Sequence, residues 1–204
     1  MDEDGYEADK NDIKILEWTT GRTYNLTERW DETVEAFAWE KNSLSLVFRT
    51  AFNGVEQLFE YSLPKDLSQL APNQDITQLT KEKTCTGAFI PTGKYIIAER
   101  YDFNRPNELV AYDLKRKTIR PLTDVNGPAM QSIAPSPVQA RWVTTTDGRQ
   151  MLVWMVFPPH FDPAKKYPAL LFCGGGPQSP LTPDYSFRWN FQLMAAKGYV
   201  VVIP

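Results

Sequence analysis

The chain has 204 residues, with 22 Lys and Arg against 25 Asp and Glu, and a net charge of −3. So balanced a charge excludes the basic surface of a nucleic-acid-binding protein and the polybasic patch of a membrane-surface protein. No apolar run approaches the roughly 18 residues of a membrane-spanning helix. We therefore expect neither nucleic acid nor a membrane as a partner.

Metal and cofactor chemistry have no signal in the sequence. The two cysteines, Cys85 and Cys173, lie far apart and form no Cys-x-x-Cys or Cys/His metal spacing, and His160 is the single histidine. One imidazole cannot build a metal site alone. The sequence therefore predicts no metal and no cofactor.

The first two-thirds of the chain repeats one pattern. Segments 13–27, 57–80 and 108–123 each contain two strands around a turn or insert, and each ends in Leu-Thr. Further strand pairs lie between them, one joined at Asn53-Gly54, which favours a type I′ hairpin turn because both positions need φ > 0. Four short strands per period of about 40 to 50 residues is typical of a β-propeller blade. The alternative is a β-sandwich with coincidental spacing.

We call the Leu-Thr pair at the end of each segment its closer. The three closers indicate one partial blade and two nearly complete ones. A propeller ring needs about 4 to 8 blades, so residues 1–138 are expected to be the C-terminal blades of a propeller that they cannot close alone. An open arc of blades exposes strand edges, and self-association through these edges is expected. Five aromatic residues are predicted to lie in blade cores: Trp18, Trp39, Phe59, Phe89 and Tyr112.

The stretch 124–138 is rich in proline, lacks periodicity and is predicted to be a linker. Residues 139–204 then begin a second unit with a hairpin at Asp147-Gly148. A short apolar strand leads into the glycines at 174–176, and a helix is predicted over 187–197.

Gly198 is expected to stop this helix, and 199–203 is the β-branched run of a buried parallel strand. Strand, helix and strand make a βαβ unit. The predicted fold class is therefore mixed, a partial β-propeller of antiparallel blades followed by the first strands and helix of an α/β sheet.

Particular residues carry a family resemblance. Residues 161–172, then Gly175 to Gln178, and the helix and strand at 189–202 resemble the start of the catalytic domain in prolyl oligopeptidase-family serine peptidases. Residues 5–10 resemble a mid-propeller motif of the same family. Within it the chain is most similar to the dipeptidyl peptidase 5 and acylaminoacyl-peptidase branch.

The resemblance implies that residues 1–138 are propeller blades and that 139–204 are the truncated N-terminal part of an α/β-hydrolase domain. It implies a peptide substrate for the full-length parent, cleaved by acyl transfer to a serine of a Ser-Asp-His triad. That serine sits on a Gly-x-Ser-x-Gly turn, and the 204 residues contain no such sequence. No catalytic residue is therefore assigned, and the chain is expected to be an inactive fragment. Relatives are often periplasmic, but the acidic first residues are no signal peptide, so the compartment stays open.

Two alternatives to the peptidase fragment stay open. One is a non-enzymatic β-propeller-like binding or scaffold protein, and the other is a degraded reading frame without a stable fold.

Five positions are weighed as site residues. Gly174 and Gly175 are oxyanion-loop candidates whose backbone N–H groups would serve, since Gly174 falls where prolyl-specific branches place a tyrosine; the alternative is a tight turn. Glu7 is a weak candidate for binding a substrate amino terminus, and a solvated loop charge is the simpler interpretation. His160 is expected in a surface loop. Cys173 is expected to be a small buried residue rather than a nucleophile.

Overall fold

The computed structural model describes residues 5–6, 9–70, 76–175 and 179–204. Most of the described chain is antiparallel β-sheet with few helices. The strands of the first part are β1 (Lys14–Glu17), β2 (Arg22–Asn25), β3 (Ala36–Trp39), β4 (Ser45–Phe52), β5 (Val55–Ser62), β6 (Ile76–Gln78), β7 (Cys85–Pro91), β8 (Tyr95–Asp102), β9 (Arg105–Asp113) and β10 (Thr118–Pro121). A short 3-10 helix spans Leu67–Gln69.

These ten strands form two four-stranded sheets and a hairpin. The sheet orders are β3-β4-β5-β6 and β7-β8-β9-β10, all antiparallel, and β1 pairs with β2. The predicted repeat of four short strands is confirmed. The two complete sheets are called blade 2 and blade 3, and the hairpin is called blade 1.

The turn between β4 and β5 shows how local sequence sets the register. Asn53 has φ 51° and Gly54 has φ 74°, the left-handed conformations that a type I′ turn demands. The predicted hairpin is confirmed. At Gly54 a Cβ would also lie 2.1 Å from Leu152 Cδ2, so the tip of this turn touches the second part of the chain.

Apolar side chains fill the spaces between the blades. One core cluster joins blade 1 to blade 2 and includes Phe48 and Phe59, whose rings lie 5.6 Å apart. A second joins blades 2 and 3 and includes Val47 and Tyr112. Burial of Phe59 and Tyr112 confirms two of the predicted core aromatics, and Phe89 packs against the second cluster half-buried.

Two of the predicted core aromatics are exposed instead. Trp18 is 88% exposed and Trp39 is 47% exposed, so their prediction as core was wrong. Trp18 lies in the turn after β1, beyond the paired residues. Trp39 lies on β3, an outer strand of its sheet, whose alternation turns Ala36 and Ala38 towards the protein and the aromatic side chains away from it.

The remaining elements form a mixed sheet. After the short helix α1 (Gly127–Met130) come β11 (Val138–Thr144), β12 (Gln150–Val156), β13 (Ala169–Leu171), helix α2 (Phe191–Ala196) and β14 (Val200–Ile203). The order is β11-β12-β14-β13, with β13 parallel to β14 and β12 antiparallel to it. β14 is therefore parallel to only one of its two neighbouring strands. The predicted boundary between residues 138 and 139 stays a prediction.

Helix α2 is shorter than predicted. Asn190 has extended backbone and its side chain accepts a 2.8 Å hydrogen bond from the Leu193 N–H. Asn190 is therefore the N-cap, and the helix begins at Phe191 rather than at Phe187, which is 85% exposed. Gly198 has φ 92° and ends the helix as predicted.

A third core cluster connects the blades to the mixed sheet. Phe103, in the turn between β8 and β9, packs edge-on against Trp154 (5.8 Å between centroids) and Phe191 (5.7 Å). The mixed sheet therefore sits on the side of the blades that carries the β4–β5 and β8–β9 turns. In the described part of the chain, no helix is long and apolar enough to cross a membrane.

Candidate functional site

The glycine loop follows β13, and its described residues are Gly174 and Gly175. The Phe172 N–H still donates to Val202 O (2.9 Å), and pairing with β14 ends there. Gly174 and Gly175 come next and are exposed. Neither N–H donates a hydrogen bond to another described residue. Within the described part of the chain, both groups are therefore available to an acceptor.

The two glycines differ in their surroundings. Neither has a left-handed φ, so backbone conformation does not explain them. A Cβ at position 174 would lie 3.0 Å from Leu181 Cδ1, whereas a Cβ at Gly175 would meet nothing within 4 Å. Packing against Leu181 therefore favours glycine at position 174. Packing gives no reason for glycine at position 175. Gly176 and Glu7 lie outside the described residues.

A cavity of about 410 Å³ opens between the blades and Ser179 and Pro180, in the segment that follows the glycine loop along the chain. Asp31, Glu32 and Glu35, from the connection into β3, line one side, and Ser179 and Pro180 line the other. We call it the acidic cavity. Burial raises the pKa of Glu32, and the neighbouring Asp31 charge raises it further. Crowded carboxylates of this kind favour a bound cation.

Lys10 also lines the acidic cavity, but its ammonium group already has hydrogen-bond partners. Its ammonium group donates to Asp12 Oδ1 (2.9 Å) and to the carbonyls of Thr27 (2.9 Å), Glu28 (3.2 Å) and Trp30 (2.6 Å). Lys10 therefore holds the connection in place instead of neutralising the carboxylates beyond it.

A buried polar group lies between blades 2 and 3. Arg49 Nε and Glu56 Oε2 are 3.2 Å apart. Burial raises the pKa of Glu56, and the Arg49 charge opposes that rise. Burial likewise raises the pKa of the adjoining Cys85 thiol to about 12. A thiol so protonated at neutral pH is no nucleophile.

The structure places the other weighed residues at the surface. His160 is exposed in the loop after β12 with φ 59°, as expected. Cys173 is exposed, so the prediction that it is buried was wrong. β13 is a short outer strand whose three residues are themselves exposed, and the described chain has nothing to cover the residue that follows it.

Sequence reasoning missed the carboxylates of the acidic cavity. No role is assigned to Asp31, Glu32 or Glu35 from the sequence. The usable signal was their position directly after the Leu26-Thr27 closer, where the chain must cross from one blade to the next.

A second, larger cleft of about 870 Å³ separates the blades from β11 and β12. Its blade wall comes from the β4–β5 turn, residues 81–84 and the β8–β9 turn, and Val138 to Ala140 form the opposite wall with Trp154. We call it the β11 cleft. The Trp154 indole N–H is buried and has no hydrogen-bond partner in the described chain.

Comparison with known proteins relates this arrangement to peptidases. The chain is 32% identical over 204 residues to dipeptidyl-peptidase 5 of Porphyromonas gingivalis and 34% identical to dipeptidyl-peptidase 5 of Porphyromonas endodontalis. Both matches cover 100% of the chain, but it spans only 29% and 28% of the two relatives. No family model matches.

Solved structures show the same fold. The Pyrococcus horikoshii acylaminoacyl peptidase matches 98% of the chain with a TM-score of 0.76 at 21% identity, over 29% of its own length. Dipeptidyl peptidase 4 of Porphyromonas gingivalis matches 94% of the chain with a TM-score of 0.66 at 18% identity, over 27% of its length.

These matches confirm the resemblance found in the sequence. The antiparallel blades correspond to the β-propeller region of such peptidases. Over its whole length the chain corresponds to part of a prolyl oligopeptidase-family peptidase, and the curated relatives that it matches above 30% identity are dipeptidyl-peptidases 5.

Proposed function

We propose that this chain forms the junction between propeller and catalytic domain in a serine exopeptidase of the dipeptidyl or acylaminoacyl type. One observation carries the proposal. The segment behind Gly174 and Gly175 shares a cavity with the blade carboxylates Asp31, Glu32 and Glu35. A wall of carboxylates and the N–H groups of the two glycines therefore lie on nearby segments.

We further propose that residues 139–204 begin an α/β-hydrolase domain. The parallel pair β13 and β14, joined through α2, supports this assignment, because such crossovers build α/β sheets. In that fold an N–H from the loop after an early strand supplies half of the oxyanion hole.

The proposed chemistry divides between the carboxylates of the acidic cavity and the glycine loop. The carboxylates would attract the α-ammonium group of a peptide, and Gly175 N–H would donate to the carbonyl oxygen that gains negative charge. A serine hydroxyl attacks the carbonyl carbon and its proton passes to a base. The base gives this proton to the amine as the peptide C–N bond breaks, and water then releases the acyl group from the serine. Neither serine nor base is assigned among the 204 residues. We propose that the chain alone turns over no peptide.

The test uses a chimera with a matched relative. The 204 residues replace the corresponding stretch of the Porphyromonas gingivalis dipeptidyl-peptidase 5, and hydrolysis of a fluorogenic dipeptide is measured. We expect turnover by the chimera and none by the isolated chain.

Substitution at Gly175 then tests the oxyanion role. Gly175→Pro removes the N–H and should lower kcat by about 10²–10³-fold with little change in KM. Gly175→Ala keeps the N–H in open space and is the control. A folded chimera without activity, or equal effects of the two substitutions, contradicts the proposal.

A further inference from the structure

Strand β11 has a free edge whose hydrogen-bonding groups can be assigned. Phe157 N–H donates to Pro137 O (2.9 Å), and Thr145 N–H donates to Arg149 O (2.9 Å). Hydrogen-bonded pairs alternate along an antiparallel ladder, so the odd-numbered residues of β11 bond to β12. Val138, Ala140, Trp142 and Thr144 therefore point their N–H and C=O groups away from the sheet.

Part of this edge faces the β11 cleft. Three consecutive residues, Val138 to Ala140, line the cleft. Side chains of neighbouring strand residues point to opposite faces, so a cavity that meets three in a row meets the strand from its edge. β11 is the outermost strand of its sheet, and no described residue pairs with the outward groups of Val138 or Ala140.

The cleft is held open by contacts at its end. Asn104, in the β8–β9 turn, donates from Nδ2 to Ser136 O and accepts from Ser136 N–H, both at 3.0 Å. The Ser136 N–H also lies 3.0 Å from Gln192 Oε1. These bonds fix the start of β11 relative to blade 3, so the edge is presented at a set distance from the opposite wall.

The blade wall carries two lysines and two carboxylates, Lys81, Lys83, Glu82 and Asp102. Lys81 and Lys83 line the cleft, and neither ammonium group forms an ion pair or hydrogen bond with a described residue. The two carboxylates are held against their own backbone, since Glu82 accepts from Lys81 N–H (3.0 Å) and Asp102 accepts from Asn104 N–H (2.8 Å). The two ammonium groups have no such bond within the described chain and can reach a ligand in the cleft.

We propose that the β11 cleft binds an extended, acidic peptide segment that adds to the sheet beside β11. An extended backbone offers N–H and C=O groups at the two-residue spacing that Val138 and Ala140 present. The cleft volume of about 870 Å³ falls in the range of ligand sites, about 300–1,000 Å³. A second copy of the chain fits less well, because the edge strand that it would add, its own β11, carries Arg141 and no carboxylate.

This site is independent of the proposed catalysis. It lies on the β11 side of the junction, needs no serine, and shares no lining residue with the acidic cavity. The probe is a fluorescein-labelled hexapeptide of alternating valine and threonine with one central glutamate and blocked ends. Its blocked amino terminus keeps it from any site that requires an α-ammonium group.

Fluorescence anisotropy of the probe with the 204-residue chain tests the proposal. Ala140→Pro removes an outward N–H inside the cleft without loss of a bond to β12, and should weaken binding about tenfold. Thr144→Pro removes an outward N–H beyond the cleft and should leave binding within about twofold. Thermal unfolding checks that both variants fold.

Modified peptides and charge reversal add two readouts. Two N-methylated peptides are compared, one methylated at its odd residues and the other at its even residues. Only one of the two should lose binding, since only one edge of the peptide faces β11. Lys83→Glu should weaken binding of the probe and restore it for a peptide with lysine at the centre. Any of three results overturns the proposal. These are no binding by the unsubstituted 204-residue chain, equal effects of the two proline variants, and concentration-dependent dimerisation through β11 in place of binding.

Discussion

The Thr80 hydroxyl donates a 2.6 Å hydrogen bond to Gln57 Oε1 and accepts a 2.9 Å bond from the N–H of the next residue, Leu58. The other two Leu-Thr closers repeat this arrangement. Thr27 bonds to the Asp12 carboxylate (3.0 Å) and the Ile13 N–H (2.9 Å), and Thr123 bonds to the Glu108 carboxylate and the Leu109 N–H (2.8 Å). Each closer is therefore a latch that ties the end of a blade to the strand that pairs with its last strand (β5 and β9), or, in blade 1, to the residues directly before that strand (β1).

Removal of the buried latch should destabilise the protein. Thr80→Val leaves Gln57 Oε1 and the Leu58 N–H without this partner, and Thr80 is 1% exposed. An unsatisfied buried group costs about 1–3 kcal/mol. Urea denaturation followed by circular dichroism measures the loss. Thr123→Val, at the less buried latch, is the control and should cost less; an equal or smaller cost for Thr80→Val contradicts the role of burial.

Acid should weaken the third latch. The Thr123 hydroxyl bonded to Glu108 lowers the pKa of Glu108 from 4.5 to about 2, against a burial effect that raises it, and Asn126 adds to the lowering. A folded-state pKa below the unfolded one contributes stability above about pH 4.5 that is lost as pH falls towards 2. The difference in urea midpoint between the parent and Glu108→Gln should be constant near neutral pH and shrink below 4.5. A difference that does not change with pH would contradict the assignment.

The two cysteines should differ in reactivity. Burial raises the Cys85 pKa to about 12, whereas Cys173 is exposed. Because the thiolate is the reactive form, an aromatic disulfide reagent at pH 8 should titrate one thiol in the folded chain and two after unfolding. Cys173→Ser should remove the fast reaction, and Cys85→Ser should leave it intact. Two fast thiols in the folded parent would show that Cys85 is accessible.

The contact between blade 2 and the mixed sheet can be isolated with a matched pair of glycines. Gly54 (φ 74°) and Gly148 (φ 82°) are both left-handed, but only a Cβ at Gly54 meets a neighbour, Leu152 Cδ2 at 2.1 Å. Alanine at either site should cost about 1–2 kcal/mol for the left-handed backbone. Gly54→Ala should cost more than Gly148→Ala as measured by urea denaturation, and Leu152→Ala should cancel the excess in a double-mutant cycle. Equal costs at the two glycines would mean that Leu152 moves aside freely.

Predictions from sequence succeeded where a few adjacent residues decide the outcome. Asn53-Gly54 forms a turn by its own φ preferences, and Gly198 stops α2 for the same reason. Helix α2 was predicted one turn too long because the cap at Asn190 depends on a side-chain bond to the Leu193 N–H, which competes with continuation of the helix.

By itself, the sequence determined the strand repeat, the hairpins, the Leu-Thr closers and the family, because these depend on local spacing and on residues near one another in the chain. Only the tertiary structure decided that Trp18, Trp39 and Cys173 are exposed, that Asp31 and Glu35 share a cavity with the segment behind the glycine loop, and that β11 faces a cleft. Strand alternation decides which side chains share a face. Whether that face is buried depends on which distant element packs against it, and that information lies in no single segment of the chain.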